Sequence, residues 1–185
     1  MKAIVELFWN LCLLRVGPER MPTANLFVIM VLVTNLLVSA LVALSSPGGN
    51  SVATALSAPV ISAAVLASGT WLMLQAKGVP ERFTATLTAL LGADVLITAF
   101  SWPLILLMRP GTEPGGMQIL LGIAQFALIF WWVTISGFVF ARALEVSRAQ
   151  GLAIAVFVVL ATLIVTFSIF PPVPVDPGPP SIDTL

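Results

Sequence analysis

Residues 84–108 read TATLTALLGADVLITAFSWPLILLM. The stretch exceeds the roughly 20 residues that a helix needs to cross a bilayer, and its only charged side chain is Asp94. Asp94 lies ten residues in (94 − 84), about 15 Å along a helix at ~1.5 Å per residue, close to a bilayer midplane. A carboxyl there costs several kcal/mol unless it is paired, protonated or wetted. Thr98 and Ser101 follow at i+4 and i+7 on the same face, whereas Leu87 and Leu90 make that face apolar in the other direction. The polar stripe is therefore confined to one half of the helix and is expected to turn inward. No Lys or Arg falls within a span, so desolvation favours the neutral carboxyl.

Four further stretches read the same way. Spans are expected at about 24–45, 58–76, 84–108, 117–141 and 151–170, separated by uncharged SPGGNSVATAL, by Lys77 to Arg82, by RPGTEPGG and by RALEVSRAQ. The composition agrees. Charged residues are 9% of the chain, against roughly 25% in soluble domains, and hydrophobic residues are 59%. The fold class is all-α integral membrane, a five-helix transmembrane bundle over 24–170, with the lipid bilayer as its solvent. A formal net charge of zero argues against nucleic acid as a partner.

The ends differ from the bundle. Within 1–23, the segment AIVELFWNLCLLRV is apolar but too short to cross a bilayer. Lys2, Glu6 and Asn10 recur every four residues on one helical face. The segment reads as an interfacial helix with Trp9 at headgroup level, or as an extension packed on the bundle. It has no small-x-small cleavage site and reads as mature protein. Residues 171–185 carry six prolines and are expected to form an extended tail.

Basic residues orient the bundle. With the N-terminus cytoplasmic, one side holds Lys2, Arg15, Arg20, Lys77, Arg82, Arg142 and Arg148, and the other only Arg109, seven against one. The C-terminus is then extracytoplasmic. Trp71 and Trp102 fall near opposite interfaces, as aromatic belts do.

Catalytic chemistry has little to work with. There is no His, and Cys12 is the only Cys, so no metal-ligand cluster, cofactor site or catalytic constellation is expected. Cys12 reads as a small apolar residue. The candidate intramembrane polar site is Asp94, Thr98, Ser101, Gln125 and Asn35. Other polar or small stripes are Asn35 and Ser39; Ser57, Ala64, Ser68 and Gln75; Gln118, Gly122, Gln125 and Ser136; and Ala155, Thr162 and Thr166. Such stripes hold helices together in lipid. Asp94 is expected to bond Gln125 or Asn35 as structural glue, or to serve a proton or ion relay. Pro103 is expected to kink its helix near Ala99.

Two stretches, KGVPERFTATLTALLGADVLITAFSWPL and WWVTISGFVFARALEVSRAQGLAIAVFVVL, carry a resemblance. With the five spans and short loops, they resemble the Yip-domain family of Ypt-interacting membrane proteins, especially its small bacterial members. The resemblance implies a non-enzymatic organiser or accessory subunit of the bacterial inner membrane, working through other membrane proteins or a homo-oligomer. The alternative is a small transporter or channel component centred on Asp94.

Overall fold

The structure, a computed structural model, describes residues 2–46, 51–108 and 115–170. Residue 1, the loop segments 47–50 and 109–114, and the proline-rich stretch 171–185, expected to be an extended tail, lie outside the described residues. The described chain is helical and contains no strand. Its helices are α1 (Lys2–Cys12), α2 (Asn25–Ser45), α3 (Val52–Ala76), α4 (Phe83–Leu107), α5 (Gly116–Ala143) and α6 (Arg148–Ile169). The last five are long and apolar enough to cross a membrane.

Local chemistry explains the helix ends. Ser147 and Gln150 form a capping box at the start of α6, each side chain bonded to the other's backbone N–H. α3 starts at Val52, ahead of the expected position 58, because Ser51 Oγ accepts the Thr54 N–H at 3.1 Å. Pro59 consequently sits inside α3, where it cannot bond the carbonyl of Ala55. Likewise α4 continues through Pro103 to Leu107. α3 ends in a Schellman turn: Val79 N–H bonds Leu74 O, Gly78 N–H bonds Gln75 O, and Gly78 takes φ 73°.

The five long helices form a closed ring in the order α2, α3, α6, α5, α4, each touching the next. At the end of the ring bearing Lys77, Arg82, Arg142 and Arg148, here the basic end, α4 is surrounded. Thr86 to Ala93 are all buried. α5 and α6 approach closely there. A Cβ on Gly151 would lie 2.4 Å from Gly137 O, and one on Gly137 would lie 2.9 Å from Leu152 Cα. Glycine permits this contact because it has no side chain to place in the gap.

α1 packs on the bundle. Phe8 stacks on Phe27 with ring centroids 6.3 Å apart and lies over Gly92, where a Cβ would meet its ring. Trp9 contacts Phe100 at 6.1 Å, and Trp131 Nε1 donates to Cys12 O at 3.0 Å. These partners lie well inside α4 and α5, so the packed reading of α1 describes its contacts, with Trp9 against α4. Burial pushes the Cys12 thiol up to about 11, which keeps it protonated and unreactive near neutral pH.

Candidate functional site

All five long helices line one cavity of about 350 Å³ at the centre of the ring. Asn35 and Ser39 come from α2, Ser62 from α3, Asp94 from α4, Trp132 from α5 and Thr162 from α6. Apolar walls complete it, including Leu66 and Leu91.

Asn35 is the organising residue. It is buried, and its Nδ2 donates to Asp94 Oδ2 at 2.8 Å and to Leu91 O at 3.4 Å. One amide thereby ties α2 to both a side chain and a carbonyl of α4. Asp94 itself is half-buried, its remaining exposure being toward the cavity. Trp132 lies beside it, with its Nε1 buried and outside hydrogen-bonding geometry with any described residue. The indole N–H lies close enough to the carboxyl to interact with it, and both border space that a small polar guest or water can share.

The five expected site residues separate into two places. Asp94 and Asn35 meet in the cavity. Ser101 and Gln125 meet farther along α4, where Gln125 Nε2 reaches Ser101 Oγ at 3.5 Å. Thr98, between them in sequence, is not among the cavity-lining residues. Of the two partners expected for Asp94, the structure pairs it with Asn35.

Trp132 was missed from the site, although a signal existed. It stands at i+7 from Gln125 and i−4 from Ser136, on the stripe already read along α5. Ser62 lies off the α3 stripe read from the sequence, most of which is exposed. Ala64, Ser68 and Gln75 are exposed, whereas Ala63, Leu66, Thr70 and Leu74 are buried. The larger apolar volume of Leu66 and Leu74 decides the inward face. Thr70 can join them because its hydroxyl bonds Leu66 O at 2.7 Å. The outward residues border a groove of about 380 Å³ running between α3 and α6, with Ala64, Ser68 and Gly69 on one wall and Phe157 on the other.

The basic end holds a larger cavity of about 540 Å³, lined by Arg82 and Arg142 but also by Glu19 and Glu145. Arg82 bonds Glu145 Oε1 at 2.5 Å and Ala143 O at 3.1 Å. Its charges cancel in pairs, which makes it a structural joint between the turns rather than an anion site. Among the described residues no three of His, Cys, Asp and Glu gather as a metal site would require. No family model, curated protein or solved structure matches the chain.

Proposed function

We propose that this chain is a non-catalytic integral membrane protein that works by binding another transmembrane helix along α3 and α6. The observation that carries this reading is the exposure of Ala64 and Ser68 beside the groove between α3 and α6, at whose floor Gly69 faces Val158. Small residues let a second helix backbone approach closely, and a hydroxyl gains a partner there that lipid does not offer. The resemblance to small Yip-domain proteins supports the same reading. So does the Asp94–Asn35 bond, which holds the ring together as glue. The basic end is cytoplasmic in this reading, in a bacterial inner membrane, with the partner either a second copy or an accessory chain.

A photo-reactive amino acid at Ser68 tests the proposal in native membranes. It is expected to trap a discrete protein adduct, whereas the same probe at Val33, exposed on α2, traps only lipid. Equal, adduct-free behaviour at both positions overturns it.

A second reading is favoured by the cavity itself. Five helices converging on the one carboxyl within the spans is an arrangement for passing a proton or small cation. Asp94→Asn separates the two readings. Glue survives, because the amide still bonds Asn35, whereas a relay fails, because an amide exchanges no proton. A proton flux into dye-loaded proteoliposomes that disappears in Asp94→Asn, with the fold intact, replaces the first reading with the second.

A further inference from the structure

We infer that the basic end of the bundle holds one anionic phospholipid, with its phosphate on Arg148 and an acyl chain in the groove between α5, α6 and the turn after α1. The inference rests on the membrane reading of the five helices and is independent of the partner surface on α3.

The groove has a volume of about 300 Å³ and is lined by Leu14, Thr134, Gly137, Phe138, Arg148 and Leu152. It is polar at one end and apolar below. Thr134 lies nine residues before the end of α5 at Ala143, so the groove reaches about 13 Å from that end at ~1.5 Å per residue. Its floor is the glycine contact of α5 with α6, and Thr134 has turned its hydroxyl onto Phe130 O at 2.8 Å. What remains for an occupant is a hydrocarbon slot beneath a guanidinium, the shape of a lipid headgroup and chain.

The neighbouring charges leave Arg148 available. Glu145, the nearest acid in sequence, is held by Arg82. Arg142 stands over the Phe138 ring at 5.6 Å and faces Glu19 at 3.9 Å. Arg148 itself has no carboxylate within salt-bridge distance among the described residues. A phosphate would give its planar fork a matched acceptor.

Leu14 supplies the independent observation. It closes α1 in a Schellman turn, with Arg15 N–H on Asn10 O and Leu14 N–H on Leu11 O, and it takes φ 59°. Glycine is the usual residue there, and an L side chain is disfavoured in that conformation. α3 does use glycine at the same position of its own turn, Gly78. The strained leucine becomes intelligible as the third wall of a slot that two helices alone would leave open.

The test uses the full chain released from detergent micelles into native mass spectrometry, with dioleoylphosphatidylglycerol or dioleoylphosphatidylcholine added. The wild type is expected to retain one phosphatidylglycerol and to discriminate against phosphatidylcholine. Arg148→Gln is expected to weaken retention about tenfold, as loss of a charge-assisted contact does. Leu14→Gly relieves the backbone, so it should fold at least as well yet also retain less lipid. Arg20→Gln removes an exposed charge from the same end outside the groove and should change nothing. Equal retention of both lipids by the wild type, unchanged retention in Arg148→Gln and Leu14→Gly, or an equal loss in Arg20→Gln overturns the assignment.

Discussion

The two ends of the ring are held by different forces. At the basic end, backbone meets backbone at Gly137 and Gly151, α4 is buried on every side, and Arg82 joins the 77–82 turn to the end of α5. At the opposite end, beyond Ala93, α4 buries only Ile97 and Ser101. The ties there are side-chain hydrogen bonds: Trp102 Nε1 to Ser45 Oγ at 2.8 Å, Gln125 to Ser101 at 3.5 Å, and Ser62 to Thr166 at 3.4 Å. The central cavity lies between the two regimes. Close packing has no low-energy alternative arrangement, whereas isolated side-chain hydrogen bonds beside a void can exchange partners. Any opening of the ring should therefore begin at the end opposite the Gly137–Gly151 contact.

Matched glycine substitutions probe that contrast most severely. Gly151→Val at the basic end drives side-chain atoms into Gly137 O and should cost about 3 kcal/mol, or prevent folding. Gly122→Val on α5 meets nothing within 4 Å and should leave the unfolding midpoint in detergent nearly unchanged. Similar losses at both sites would erase the distinction between the ends.

Gly92→Val should have the next largest effect, about 2 kcal/mol, concentrated on α1 because the new side chain occupies the place of Phe8. Cys12 reports this directly. In the wild type its thiol, raised to about 11 by burial, should resist maleimide at pH 8, and in Gly92→Val it should react readily. A thiol that stays protected in the variant would show that Phe8 does not seat α1.

Asn35→Leu leaves the Asp94 carboxyl without its amide donor and should cost about 1–2 kcal/mol. The variant also tests where the ring opens: cysteine cross-links between Ser45 and Trp102 positions should loosen more than links between residues 82 and 143.

The smallest effects concern the two turns at the basic end. Gly78→Ala should cost about 1 kcal/mol because of its positive φ. Arg82→Gln should cost less, about 0.5 kcal/mol, since the Arg82–Glu145 pair is solvent-exposed and screened. A loss from Arg82→Gln that exceeds that from Gly78→Ala, and that persists in high salt, would make the ion pair the principal lock.

Much of this architecture is legible in the residues. Runs of apolar residues broken by PGG, by KGVPER, by PGTEPGG and by RALEVSRAQ mark the five long helices, and the sequence leaves Asp94 two partners, Gln125 or Asn35, of which the structure pairs it with Asn35. The start of α3 is less legible, because Ser51 is one of several cap-forming residues in a turn-rich stretch. The inward face of α3 is ambiguous for a physical reason. Ala, Ser, Thr and Gly occur on both sides of it, and small residues suit a contact inside the ring as well as one outside it. The seating of α1 depends on Phe8 meeting Gly92, a long-range fit of shapes that leaves no local periodicity.

That fit also orders the events of synthesis. Cys12 can reach its bond to Trp131 only after 119 further residues have been made, and Phe8 must wait for Gly92. Domains made on the ribosome generally assemble from the N-terminal side first. Here α1 has no finished surface to rest on until α2, α4 and much of α5 are in place. Of the six described helices α1 is thus made before the others and is among the latest docked, and in the interval its apolar residues need another host, such as the bilayer surface or a chaperone.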